Sequence, residues 1–292
     1  MRFSPVELDR LSITLLIENS VAPVQGLRGV HGLSMLIRTQ SGNESSTVLF
    51  DVGADSSVLV GNMKCLGISP ESVDCIVLSH NHWDHASGLA QVLKAIGKRT
   101  PVVFHPAASR LSYYDRPHLH TTSFLAADFP AIVDADGLLF AVREPFQVAA
   151  GLFTAGTVDR VTDEPTGVPT KVLRGDGTWD ADEVEDDVPL LALVKGIGLV
   201  VLTGCSHAGI VNIIRHAMKL TDRAAVAAVI GGFHLKQASV ERIAWTIQEL
   251  ARACPTLVAS GHCTGFAAEV ALRNSFGDKY HHLTVGSTLT FP

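Results

Sequence analysis

Ser79-His80-Asn81-His82-Trp83-Asp84-His85-Ala86-Ser87-Gly88-Leu89 is the stretch on which the reading of this chain turns. Three histidines and one aspartate fall within six residues, directly after the apolar run Cys75–Leu78 and before a helical pattern over Gly88–Ile96. Imidazole and carboxylate are common protein ligands of zinc, and they also suit iron and manganese. On an extended loop alternate side chains point the same way, so His80 and His82 can reach one ion. Asp84 and His85 then turn toward a second position as the helix begins. Without an ion these four polar groups would crowd a buried strand end unpaired, which is costly. The stretch predicts a site for one or two divalent metal ions, zinc first, with iron or manganese as alternatives.

One loop cannot complete the coordination, so further ligands must come from elsewhere. His207 in Thr203-Gly204-Cys205-Ser206-His207-Ala208-Gly209 and His262 in Ser260-Gly261-His262-Cys263-Thr264-Gly265 each follow a strand pattern among glycines, which permit close backbone approach. Both are read as metal ligands. His234, in Gly231-Gly232-Phe233-His234-Leu235, has the same setting and is read as a catalytic or substrate-binding residue. His31, before Gly32, is a further substrate-binding candidate. His105, His118, His120, His216, His281 and His282 read as surface, cap or core.

The 292 residues are 47% hydrophobic and 18% charged, ample for a globular core and too apolar for disorder. A net charge of −6 gives no basic surface for nucleic acid. The five cysteines are odd in number and never spaced C-x-x-C, so they predict reduced thiols in a reducing compartment. No secretory signal is visible at the N-terminus, and the most apolar stretch, Leu190 to Gly204, is too short for a bilayer. The expectation is a cytoplasmic protein with a small-molecule substrate, no nucleic-acid or membrane partner, and room for a homodimer.

Nine short apolar runs, from Ser12–Ile17 to Thr256–Ala259, read as strands, and five patterns between Ser57–Leu66 and Ala267–Asn274 read as helices. Their alternation predicts an α/β protein. A weak internal repeat appears at an offset of 154: Phe50-Asp51-Val52-Gly53 falls on Gly204-Cys205-Ser206-His207, and Leu78-Ser79-His80 on Gly232-Phe233-His234. It predicts two related layers whose strand-end loops converge on one site. Residues 1–292 read as one domain, with 109–145, rich in His, Tyr, Asp and Pro, as a cap or lid. Asp176 to Asp187 holds seven acidic residues and reads as a solvated loop.

His80-x-His82-x-Asp84-His85 resembles the defining motif of the metallo-β-lactamase superfamily, and Phe50-Asp51-Val52-Gly53 and the late His262 are its usual companions. Within it the chain resembles the branch named for 7,8-dihydropterin-6-methyl-4-(β-D-ribofuranosyl)-aminobenzene-5'-phosphate synthase. The phrases that carry this are Glu18-Asn19, His31-Gly32-Leu33-Ser34, Thr203 to Ile210, Gly231 to Leu235, Gly261 to Gly265 and Val285-Gly286-Ser287, spread over nearly the whole chain. The resemblance implies a four-layer αββα sandwich with a metal site at its edge. It implies metal-dependent hydrolysis or transfer on a pterin-, phosphate- or ester-like substrate, with Asp84 both binding metal and orienting the reacting oxygen. Two departures stand out. Cys205 occupies the place of a bridging aspartate and is a possible soft ligand, and no histidine lies near Phe153 to Arg160. Iron-dependent redox chemistry on the same fold and a non-catalytic metal-stabilised sensor are the competing readings.

Overall fold

The computed structural model describes residues 6–114, 120–121, 125–253 and 256–292. In chain order the strands are β1 (Arg10–Ile17), β2 (Ser34–Ser41), β3 (Glu44–Phe50), β4 (Cys75–Val77), β5 (Thr100–Phe104), β6 (Ser112–Tyr114), β7 (His120–Thr121), β8 (Gly137–Ala141), β9 (Phe146–Ala149), β10 (Leu152–Thr154), β11 (Lys171–Leu173), β12 (Trp179–Ala181), β13 (Leu190–Val194), β14 (Gly198–Thr203), β15 (Ala228–Gly232), β16 (Leu257–Gly261), β17 (Tyr280–His282) and β18 (Thr288–Phe291). The helices are α1 (Ser56–Cys65), α2 (Trp83–Ala86), α3 (Leu89–Ile96), α4 (Leu125–Asp134), α5 (Ile210–Thr221), α6 (Val240–Ala253) and α7 (Phe266–Phe276).

Alternation along the strands sorts their side chains into three apolar layers. In β3, Val48 and Phe50 face the opposite sheet, whereas Leu49 faces the helices; in β14, Val200 and Leu202 face inward and Leu199 and Val201 outward. Strands apolar on both faces must be covered on both, so each sheet lies between its partner and a helical layer. One sheet runs β18-β1-β2-β3-β4-β5-β8 and the other β17-β16-β15-β14-β13-β10-β9. Ile76, Leu89 and Leu93 belong to the outer core under α1, α3 and α4; Val229, Ile213 and Leu250 to the outer core under α5 to α7. The arrangement is the expected αββα sandwich. Each fully buried Leu, Ile or Val contributes roughly 1.5–3 kcal/mol.

The repeat is visible as topology. β2 and β3 pair antiparallel, α1 follows, and β4 joins β3 in parallel; β13 and β14 pair antiparallel, α5 follows, and β15 joins β14 in parallel. The two strand-end edges meet at Gly204, where a Cβ would lie 2.1 Å from Ser79 Oγ, so only glycine allows the halves to approach this closely.

Two expectations need correction. Within 109–145, α4 and β8 belong to the sandwich: Leu125 and Ile132 enter its outer core, and β8 pairs parallel with β5. Among the described residues of that stretch, β6 and β7 lie outside it, in a small sheet of order β12-β11-β6-β7. The Asp176–Asp187 segment is only partly solvated: Glu183 and Glu185 are exposed, but Asp182, Asp186 and Asp187 are buried. His118 and Cys254 lie outside the described residues. Among the described residues no helix is long and apolar enough to cross a membrane.

Candidate metal centre

Four strand ends supply the site: β4 leads to His80, His82, Asp84 and His85, β14 to Cys205 and His207, β15 to His234, and β16 to His262 and Cys263. Asp51, Ser206, His234 and His262 all hold left-handed φ of 62°, 64°, 49° and 54°, so the backbone turns sharply as each strand ends. Such conformations cost of order 1–3 kcal/mol each and cluster where function over-determines them.

His80, His82 and His207 form a triangle of edge-on imidazoles, with ring centroids 4.6, 4.8 and 4.7 Å apart. Their tautomers follow from the partners. Ser79 Oγ donates to Asp51 Oδ2 at 2.7 Å, so its remaining contact, at 2.9 Å, accepts from His80 Nδ1–H. His207 Nδ1–H donates to the Thr166 carbonyl at 2.7 Å. Both rings therefore present Nε2 as the lone-pair nitrogen, and both Nε2 atoms are buried without a hydrogen-bond partner among the described residues. Burial, together with neighbouring imidazoles, holds the pKa of His80 and His207 well below the usual value. Burial brings His82 down to about 4. Neutral rings with free lone pairs are what a metal ion requires.

Asp84, His85 and His262 form a second group. Asp84 Oδ2 lies 3.3 Å from His262 Nε2 and 3.9 Å from His85 Nε2, and the two Nε2 atoms are 3.2 Å apart. Burial alone would lower His85, but Asp51 and Asp84 hold it up to about 9, marking a spot that favours positive charge. Burial likewise works against the Asp84 carboxylate, yet His85, His262 and His31 keep it well below the usual range. Cys205 stands between the groups: its Sγ is 3.1 Å from His85 Nε2 and lies with His80 and His207 in a set of donors all within 4.8 Å. Unpartnered imidazole nitrogens, a carboxylate and a thiol suit a divalent ion of the zinc type.

The other predicted residues also arrive here. His31, half exposed, reaches Asp84 Oδ2 at 3.2 Å. The His234 ring sits 4.2 Å from that of His207, with its Nδ1 buried. A Cβ at Gly167 (φ +76°) would lie 2.2 Å from His234 Cδ2, so that loop closes on the ring only because it carries glycine. A cavity of about 250 Å³ opens over His31, Asp84, His207 and His234, with Tyr114 and Lys236 at its wall.

Several contributors escaped the sequence reading. Asp51 accepts from Ser79 N and from His85 Nδ1, each at 2.7 Å. The offset of 154 carried a signal for it, since it pairs Asp51 with Cys205, and these two flank opposite nitrogens of the same imidazole. Cys263 lies with Cys205 and His234 in a further group of donors within 4.8 Å. Burial pushes the Cys205 thiol well up; burial acts on Cys263 in the same sense, but hydrogen bonds from Cys205 and His234 bring it down. Glu18, buried, accepts from His262 N, and Asn19 Nδ2 donates to the His262 carbonyl at 3.2 Å, so this dipeptide fixes the late histidine loop. Asp186 accepts from Asn81 N at 2.8 Å and Asp187 from Ala208 N at 2.7 Å, joining the loops of both halves.

Residues 27–144 match the model of the metallo-β-lactamase superfamily. The chain is 33% identical over 98% of its length, and 98% of the relative's, to the 7,8-dihydropterin-6-methyl-4-(β-D-ribofuranosyl)-aminobenzene-5'-phosphate synthase of Methanocaldococcus jannaschii. The chain belongs to the metallo-β-lactamase superfamily. Its branch within that superfamily is the one represented by the synthase, an enzyme by its name. Among solved structures, a metal-dependent hydrolase of the β-lactamase superfamily superposes with a TM-score of 0.80 at 26% identity, covering 96% of this chain and 98% of its own. A diphosphatase from the PhnP family shares the fold at TM-score 0.54 and 13% identity, covering 97% of this chain and 98% of its own.

Proposed function

We propose that this chain is a metal-dependent hydrolase or transferase acting on a small polar substrate that is pterin-, phosphate- or ester-like. The observation that carries the reading is the pair of buried, unpartnered Nε2 atoms of His80 and His207, set beside His82 and Cys205 at an open cavity. In this reading His80, His82 and His207 hold one divalent ion and Asp84, His85 and His262 the other, with Cys205 between them. Ions bound there supply Lewis-acid charge to a substrate or leaving-group oxygen and make water more acidic. The chain's own groups do the positioning. Asp51 and Ser79 set the rings of His85 and His80, the Thr166 carbonyl sets His207, and Asp84, reached by both His31 and His262, orients the reacting oxygen. His234 contacts a substrate or product oxygen across the ring of His207, and His31 binds substrate on the open side.

The names of the synthase and the hydrolase point to transfer and to hydrolysis respectively, and both reactions develop charge on oxygen. The test is metal analysis of protein purified without added metal, with turnover of bis(4-nitrophenyl) phosphate and of a pterin–aminobenzene pair. Bound zinc, and turnover abolished by His82→Ala, is the expected result; an active protein free of transition metal sinks the reading. Iron-dependent redox chemistry is the one alternative, because imidazole, carboxylate and thiolate donors serve iron as well as zinc. Zinc in a colourless protein removes that alternative. An intact metal centre with no turnover of any probe would instead favour a small-molecule sensor.

A further inference from the structure

A small polar chamber of about 10 Å³ adjoins the metal centre at His82, bounded also by Asn81, Arg110, Ser112, Asp182 and Asp186. His82 borders the larger cavity over Asp84 and His234 as well, so its imidazole stands between the two. The other histidines assigned to the ions each have a direct support at Nδ1: Ser79 Oγ for His80, Asp51 for His85, the Thr166 carbonyl for His207, and Asn19 Oδ1, at 3.4 Å, for His262. Among the described residues no group hydrogen-bonds the ring of His82. A neutral imidazole that ligates through one nitrogen carries a proton on the other, and that N–H almost always donates to a carboxylate, a carbonyl or a water.

A volume of about 10 Å³ holds a single water when polar groups surround it. Acceptors for that water can be counted. Asp186 Oδ2 already accepts from Asn81 N at 2.8 Å, and Arg110 offers only donors. Asp182, which follows β12, is buried and held by two hydrogen bonds: its N–H donates to the Thr170 carbonyl and its Oδ1 accepts from Val184 N, each at 2.9 Å. Its Oδ2 is left without a partner among the described residues. We propose that Asp182 is a positioning residue of the metal centre: one water in this chamber accepts from the His82 ring N–H and donates to the Asp182 carboxylate, fixing that ring. This rests on the metal-enzyme reading. It gives the small sheet β12-β11-β6-β7 a part in that reading, since Asp182 follows β12 and Ser112 begins β6.

Asp182→Asn separates this role from a merely structural one. Its amide oxygen can still accept from Val184 N, while a donor replaces the acceptor that faces the chamber. Zinc affinity, read by competition with a chromogenic chelator, should fall about 10- to 100-fold, the usual cost of losing such a partner, with the urea midpoint of the metal-free protein unchanged. Asp182→Ala should lose at least as much affinity and lower the urea midpoint too, because the contact to Val184 goes with it. A crystal structure of the purified wild type should show one water within hydrogen-bond reach of both His82 and Asp182. Unchanged zinc affinity in Asp182→Asn, an affinity loss matched by a lower urea midpoint in that variant, or a dry chamber overturns the proposal. The bridging water in a protein that takes up no zinc would sink the metal-enzyme reading and leave the link from Asp182 to His82 standing.

Discussion

After β4 the chain places four donors within six residues, whereas the second half spreads Cys205, His207, His234, His262 and Cys263 over three separate strand ends. The supports differ in the same way. A single carboxylate, Asp51, braces both ends of the first loop, through Ser79 N, Ser79 Oγ and His85 Nδ1, with Asp186 holding the Asn81 peptide between them. The second half uses a separate brace for each histidine: Thr166 for His207, Gly167 for His234, and the Glu18-Asn19 pair for His262. Damage to the first half should therefore spread over the whole centre, and damage to the second should stay local.

The sharpest way to break this contrast is Asp51→Ala. It leaves His85 and Ser79 buried without their partner, and breaking a buried pair from one side typically costs about 3–5 kcal/mol. Urea denaturation should show that loss, and metal analysis should show both ions gone; a variant with full metal content would mean the first loop is not held as a unit. His262→Ala should have the next largest effect, loss of one bound ion with the other kept, read by metal stoichiometry on native mass spectra. Loss of both would erase the distinction between the halves. His234→Ala should slow turnover by about 100-fold, the lower end of what removing one hydrogen-bond donor to a reacting oxygen costs, with metal content unchanged. Loss of metal alongside rate would refute the role given to His234.

The smallest effect lies on the outer strand of the second half. The Glu269 carboxylate hydrogen-bonds His282 and raises its pKa above the ordinary imidazole value of about 6.5. A raised folded pKa adds stability that is fully present below about pH 6.5 and is lost as pH rises through the raised value. Glu269→Gln should lower the urea midpoint slightly near pH 5.5 and leave it unchanged near pH 8.5. A deficit confined to the alkaline side would reverse the assignment.

What could be read without coordinates follows the same division. The strands β1, β2, β3, β13 and β14 carry apolar runs buried largely on both faces, and each met its expectation within a few residues. The two-residue β7 and the three-residue β6, β11 and β12 carry too little pattern to read, and Pro130 inside α4 disguised that helix as loop. In the site, the dense motif announced itself because its donors are neighbours in sequence. Glu18 and Lys236 did not, because each becomes meaningful only when distant strands close over it. Asp186 and Asp187 were hidden by composition: an acidic run normally faces water, and only the backbone donors of Asn81 and Ala208 make burial tolerable for these two.

Those adjacent carboxylates carry a geometric consequence. Asp186 grips the peptide between two donors of the first half, and Asp187 grips the peptide after the donor His207 of the second. The span from one donor loop to the other is thus fixed by the repeat length of a single dipeptide, which serves as a spacer gauge. A one-residue insertion between them would lengthen that gauge by about 3.3–3.6 Å, the reach of one extended residue, and pull the two ion positions out of step while leaving every ligand in place.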